Sequence, residues 1–429
     1  MRATSHRGLP AILVVVAGCS KPSGGSSVAT ATPTQTAIAT ASAPAPLKTR
    51  PAPARACHVG TSVVASEGRG ALTHGIATAG GFIVVTWGEL RPAGSGFGGD
   101  GAKQRTELWR LFDASLGARG PASVIGQQEA VDAFSNGVAP YALGERLGVG
   151  TCAWAAFAGR LACKTANVDG SAGGDHYDDP GVAGPGPQGD RLAAAGVGDA
   201  SILLVPQCQD VRIVSSAAKK GARPLAYGTE DARTACEPKR TIDVPALAAL
   251  GEEEAAGAWR HGNLLEGRRM GKDGQPRGPI AAISVAGDVG APAIVSAESE
   301  ARVLYASRPS STAPYALTLA HWKSAGPVAR AVVSTGSAPA VAPSLVAVDD
   351  PACNLVSWTE GKGTGTRVRA GLVCNDALVV GSVTDVSTAD VEAGDSELAR
   401  VGTSGAFVVW QELPKGKPAE LRLAKVTCE

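Results

Sequence analysis

The sequence predicts an all-β chain built on one repeated unit of about fifty residues, and three observations carry that reading. Glycine (55) and proline (28) punctuate the 429 residues every few positions, which argues against long helices. Short apolar runs rich in β-branched residues recur at near-constant spacing. The best of them, Gly405-Ala406-Phe407-Val408-Val409-Trp410-Gln411-Glu412, has an unbroken apolar stretch that suits a strand buried on both faces. Apolar residues make 44% of the chain but aromatics only 4%, so Ala, Val and Leu must fill the core around few large anchors.

Taken in order, the chain opens on a targeting segment, residues 1–18. Arg2, His6 and Arg7 form a basic start, and Leu9 to Gly18 is an apolar run too short to span a bilayer. It ends in Val16-Ala17-Gly18-Cys19, which resembles the lipobox of bacterial envelope lipoproteins. The resemblance implies cleavage before Cys19 and a diacylglyceryl group on its thiol. Ser20 in the next position resembles the lipoproteins sorted to the outer membrane. An ordinary secretory signal is the plainer reading of the same stretch. Residues 19–56 are then Ser, Ala, Thr and Pro with almost nothing large, and cannot bury enough apolar surface to offset ordering entropy. They are expected to form a disordered tether, about 30–36 Å end to end by the flexible-chain estimate.

From residue 57 to residue 429 the repeat takes over. Runs like the one ending at Trp410 close at Trp87, Trp154, Pro206, Trp259, Tyr305 and Trp358, so successive intervals, by subtraction, are 67, 52, 53, 46, 53 and 52. A small-residue strand precedes each marker, often opened by proline, as in Pro140-Tyr141-Ala142-Leu143 or Pro343-Ser344-Leu345-Val346. An alternating strand follows it, as in Arg367-Val368-Arg369-Ala370-Gly371-Leu372, and a fourth begins after Gly-Pro, as at Gly120-Pro121. The stretch Gly94 to Gly101 reads as a long hairpin loop, which accounts for the first interval. Four short strands in about fifty residues, seven times over, resembles a β-propeller blade repeat, so the fold class expected is a seven-bladed β-propeller. Six or eight blades, or tandem β-sandwiches, are the alternatives. The last unit supplies three strands, and Cys57 to Ala65 resembles the outer strand it lacks, so the ring is expected to close with a donated N-terminal strand.

Nine cysteines less Cys19 leave an even eight, as an oxidising compartment favours. The strand map pairs Cys353 with Cys374 and Cys152 with Cys163 across hairpins, and Cys57 with Cys428 across the closure. Cys208 and Cys236 then remain for each other. No CxxC or paired-His spacing points to zinc.

Chemistry is thinly marked. The histidines lie in no catalytic context, no Gly-x-Ser-x-Gly elbow or P-loop occurs, and no catalytic residue can be named. The loop from Asp169 to Asp179 offers Asp169, Ser171, Asp175, Asp178 and Asp179 as oxygen donors around glycines, the donor set Ca²⁺ takes, but lacks a closing Glu. Bases cluster in or near turns after second strands, at Arg91, Arg105, Arg160, Arg260, Arg308, Lys362 and Lys415, and acids in turns after first strands. In a propeller these turns lie on opposite faces, so a basic face could meet an envelope protein or an anionic polysaccharide. Overall, 40 basic residues balance 39 acidic ones, which removes the electrostatic footprint of a nucleic-acid binder. The function expected is therefore that of a lipid-anchored, non-catalytic binding or scaffolding module in the cell envelope. The alternative is a propeller enzyme acting on glycans or peptides at the central channel.

Overall fold

A computed structural model of the chain describes residues 55–67, 71–92, 103–128, 133–155, 160–169, 176–179, 191–207, 210–218, 223–226, 242–285, 287–298, 300–324, 328–334 and 338–429. They form seven separate antiparallel sheets, each of four strands on its main path. The first strands are Ala71–Ala79, Ala133–Leu143, Ala193–Val197, Ile242–Ala249, Asp288–Ala297, Ala340–Ala347 and Glu392–Val401. The second strands, in the same order, are Phe82–Pro92, Arg146–Ala155, Ala200–Gln207, Glu254–His261, Glu300–Arg308, Cys353–Glu360 and Gly405–Leu413. Numbering the sheets in chain order from Ala71 gives blades 1 to 7 of a β-propeller. Among the described residues there is no α-helix, only two short 3₁₀ turns.

The apolar residues do not gather into one core. They form seven clusters, one at each blade-to-blade interface. This follows from the second strands, which lie between neighbours and are buried on both sides, as at Cys353–Glu360 and Gly405–Leu413. The marker aromatics have one job throughout: Trp87, Trp259, Tyr305, Trp358 and Trp410 each pack against the preceding blade. The interface between blades 7 and 1, with Phe407, Val409, Leu421 and Leu423 against Ile83, Val85 and Trp87, joins the two ends of the array into a ring.

Closure is by a donated strand. Cys57–Val59 pairs antiparallel with the third strand of blade 7, Glu420–Cys428, with Cys57 opposite Cys428, and Val63–Val64 pairs further along the same strand. The Cys57–Cys428 disulfide locks that register. Engagement begins before Cys57. Ala56 and Glu429 exchange two backbone hydrogen bonds of 3.0 Å, and Arg55 meets Asp350 of blade 6 at 3.2 Å. Cys152–Cys163 and Cys353–Cys374 staple second to third strands within blades 2 and 6. Cys208 and Cys236 lie outside the described residues, as do the signal, Cys19 and the tether to residue 54.

Small residues in the first strands are a steric requirement. A Cβ at Gly75 of blade 1 would sit 2.6 Å from the Pro140 ring of blade 2, and one at Gly196 of blade 3 would sit 1.9 Å from the Ala142 carbonyl oxygen. Any side chain there would push neighbouring blades apart.

The Glu two residues after three of the marker tryptophans also has a physical role. Trp87 Nε1 donates to Glu89 at 2.8 Å and Trp410 Nε1 to Glu412 at 3.0 Å, while Trp358 approaches Glu360 at 3.5 Å. Arginines from the third strand complete two of these latches, Arg422 on Glu412 at 3.1 Å and Arg369 on Glu360 at 3.0 Å. Blade 4 carries the charges reversed. His261 stands where Glu would, Glu266 lies opposite Trp259 where the others place Arg, and the two meet at 3.1 Å. Trp259 Nε1 is left buried without an acceptor. The double substitution His261→Glu, Glu266→Arg supplies one and should raise unfolding stability by about 1 kcal/mol. Urea denaturation measures it, and a loss of stability would show that the latch does not transfer between blades.

Candidate functional site: the central channel

The first strands of all seven blades face one cavity of about 220 Å³ on the ring axis. Its wall is mostly Ala, Pro, Val, Ile and Leu, with no Phe, Tyr or Trp among the lining residues. Four strongly polar side chains break that pattern. His74 comes from blade 1, Arg191 from the segment entering blade 3, and Asp395 and Glu397 from blade 7.

A β-bulge places the blade 7 pair. The register of its first strand shifts between Gly394 and Glu397, as it does between Asp243 and Ala246 in blade 4 and between Val341 and Ser344 in blade 6. The first bulged residue has positive φ in all three, 40° at Val244, 46° at Ala342 and 53° at Asp395. Shared by three blades, this conformation belongs to the repeat; it is not strain peculiar to a site. What distinguishes blade 7 is that charge occupies the bulge. Blade 6 holds it in place: Asp395 N–H donates to Thr359 Oγ1 at 2.9 Å, Ser396 Oγ meets Ser357 Oγ at 2.9 Å, and Leu398 N–H donates to Ser344 Oγ at 3.0 Å.

Arg191 and Asp395 form an ion pair. One enters from blade 3 and the other from blade 7, so their bond is a bar across the bore. Burial works to raise the Asp395 pKa, but the Arg191 guanidinium outweighs it and holds the carboxyl below its usual range. Burial likewise pushes the His74 imidazole below its usual value, against the pull of the Asp395 charge, and keeps it neutral. The Asp395 backbone approaches the buried His74 ring without completing a full hydrogen bond to either nitrogen. Glu397 is pushed up to about 7, first by burial and then by the Asp395 charge, with Arg191 and the Ile76 backbone opposing. Glu397 keeps some accessible surface because the bore admits water, yet protein surrounds it.

The stability consequence has a definite sign. A folded-state pKa of about 7 against 4.5 means the native protein holds a proton that the unfolded chain releases. Glu397 therefore supports folding below about pH 4.5 and loses that contribution as pH rises through 7. Relative to Glu397→Gln, the wild-type chain should lose about 2–3 kcal/mol between those limits, allowing for water in the bore. Chemical denaturation of both proteins at each pH reads the difference directly, and parallel curves would contradict a buried, protonated Glu397.

Other features are placed as follows. Arg105 pairs with Glu107, Arg260 with Asp243 and Arg308 with Asp288, so three of the basic-face arginines are bound to internal carboxylates. Lys362 and Lys415 are exposed, and the side chains of Arg91 and Arg160 lie outside the described residues. Asp169 is exposed in the turn after its strand; Ser171, Asp175 and the side chains of Asp178 and Asp179 are likewise outside. Among the described residues no group of three or more His, Cys, Asp or Glu is placed to hold a metal ion. His321 makes an instructive contrast with His74. It meets Glu300 at 2.8 Å and Asp376 at 2.6 Å, with both ring nitrogens engaged, and so bonds blade 5 to blade 6.

No protein-family model matches the chain, and no curated protein does. Among solved structures it is similar to a protein of unknown function from Dyadobacter fermentans, with TM-score 0.51 and 9% identity over 87% of this chain and 99% of that one. It is also similar to a structure from a study of two prolyl endopeptidases, with TM-score 0.50 and 11% identity over 82% of this chain and 47% of that one. The chain thus spans about half the length of that protein. At such identities the likeness shows the propeller fold alone.

Proposed function

We propose that the protein is a cell-envelope lipoprotein, anchored through Cys19, whose propeller binds a small ligand in its central channel without transforming it. One observation carries the reading: four titratable side chains from three blades converge on a cavity otherwise walled by small apolar residues. Among them is a buried histidine whose accepting nitrogen has no donor, a cost that a bound partner would remove. The three disulfides among the described residues fit an oxidising compartment. An envelope protein or anionic polysaccharide is a further candidate partner for the outer faces, where exposed Lys362 and Lys415 support contact.

A panel of amino acids, amines, organic acids and sugars, screened by thermal shift on the full chain, tests the channel reading. Compounds that stabilise the wild type should fail with His74→Ala and Asp395→Asn. A panel without a hit, or hits indifferent to both substitutions, would refute it. Metabolic labelling with a fatty acid, lost in Cys19→Ser, tests the anchor.

A second reading, an enzyme acting on glycans or peptides, draws on one specific feature. Glu397 is raised and Asp395 lowered, the divergence that separates an acid from a base in paired-carboxylate catalysis. Against it, Asp395 is already committed to Arg191. Turnover of chromogenic glycosides or peptides that Glu397→Gln abolishes would favour the enzyme.

A further inference from the structure

We propose that the channel is a site for a primary alkylammonium group, held by Glu397 and His74 while Arg191 and Asp395 brace the cavity. The inference rests on the channel being a ligand site and names the chemistry of what enters it.

The charged and titratable groups of the cavity are Arg191, Asp395, His74 and Glu397. Arg191 and Asp395 neutralise each other in their ion pair. His74 is neutral, because enclosure outweighs the attraction of Asp395. Arg191 also acts on Glu397, but among the described lining residues it is one positive charge facing two carboxylates. An enclosed carboxylate without a counter-ion of its own is costly, and Glu397 meets that cost by holding a proton. A bound cation would occupy the same role and displace that proton. The cavity is thus one positive charge short.

The shape of the charge is narrowed by the other donors and acceptors. A neutral imidazole has one nitrogen able to accept; the Asp395 backbone faces the N–H side of His74, and the accepting nitrogen is buried without a donor. An ammonium carries three N–H donors, enough for the Glu397 carboxylate, that imidazole nitrogen and a wall carbonyl or water. A carboxylate ligand would have to break the Arg191–Asp395 pair and leave Asp395 unpaired, which is expensive in an enclosed site. The rest of the wall, Pro245, Ile294, Pro343 and Leu345 among it, suits an alkyl stem. Among the described lining residues there is no Phe, Tyr or Trp to offer a stacking platform to a planar cation.

Butylamine, butyrate and butanol, titrated calorimetrically into the full chain, test the inference. Butylamine should bind most tightly. Its affinity should rise about tenfold from pH 6 to pH 8, as Glu397 with a pKa of about 7 loses its proton. At about pH 6 the heat should vary with buffer ionisation enthalpy, showing release of nearly one proton. Glu397→Gln should weaken butylamine at least about tenfold and abolish both the pH trend and the proton release. If that variant fails to fold, proton release by the wild-type chain decides alone. Tighter binding of butyrate or butanol, with sensitivity to Asp395→Asn, overturns the ammonium assignment and leaves the channel as a ligand site. Failure of all three probes at about 10 mM, together with an empty panel, overturns both.

Discussion

Replacing Cys57 and Cys428 together by serine should lower unfolding stability by about 4 kcal/mol, the largest effect expected of any single cross-link among the described residues. The bridge closes 371 residues of chain, for which the loop-entropy relation gives about 6 kcal/mol, while bridges in practice commonly deliver about 2–4. Cys152–Cys163 and Cys353–Cys374 close only 11 and 21 residues and are worth less on the same relation, about 3 kcal/mol each. The difference is topological as well. The two short bridges join strands already connected by a hairpin, whereas Cys57–Cys428 is the covalent tie between the donated strand and the last blade. Without it the segment is held by the Cys57–Val59 and Val63–Val64 ladders and by backbone bonds such as those exchanged between Ala56 and Glu429. Proteolysis should then cut first near residues 60–70, releasing the outer edge of blade 7. If the double serine variant unfolds at the same denaturant concentration as the Cys152→Ser, Cys163→Ser pair, the donated strand is not what secures the ring.

Much of the architecture was legible because a propeller repeats its physics. The marker runs at Trp87, Trp259, Trp358 and Trp410 are buried on both faces in every blade where they occur, so spacing alone counted the blades. The same map paired Cys57 with Cys428, Cys152 with Cys163 and Cys353 with Cys374, because antiparallel register turns sequence position into adjacency. The channel cluster was not read, for a related reason. Its members span 323 residues of sequence, from His74 to Glu397, and none sits in a local motif. A signal did exist in the phase of the repeat. At the bulge, blades 4 and 6 read Val244-Pro245-Ala246 and Ala342-Pro343-Ser344, while blade 7 reads Asp395-Ser396-Glu397. Two carboxylates where other blades place apolar or small residues break the rule of the first strand. The basic-face reading counts Arg260 and Arg308 as surface charge, and each pairs with a carboxylate of the adjacent first strand, Asp243 and Asp288, that the turn pattern does not register.

The channel and the closure also bear on each other. Asp395 and Glu397 belong to blade 7, the blade completed by the donated strand, and His74 to blade 1, against which blade 7 closes. Assembly of the polar cluster therefore requires the ring to be shut. A ligand that binds the cluster favours the closed ring by mass action, and loss of the closure bridge should weaken binding as well as stability.

Trp410→Ala should cost about 3–5 kcal/mol, by the cavity and transfer terms of a fully buried indole. Trp410 packs in the cluster between blades 6 and 7, which also contains Cys57, Cys428, Cys353 and Cys374. The indole fills the space between Gly405–Leu413 and the preceding blade, and its N–H satisfies Glu412, itself buried and paired with Arg422. Trp410→Phe keeps most of the volume and removes that donor, so it should cost less, about 1–2 kcal/mol. The ordering of the two variants separates packing from the latch. Because Trp410 and the Cys57–Cys428 bridge share one cluster, their effects should not add: combining Trp410→Ala with the double serine variant should show a coupling of about 0.5–3 kcal/mol. Guanidinium unfolding of the four proteins of that cycle gives the number. Strict additivity would mean that the donated strand and the Trp410 interface are stabilised independently, and that closure is set by the blade 7 to blade 1 contact alone.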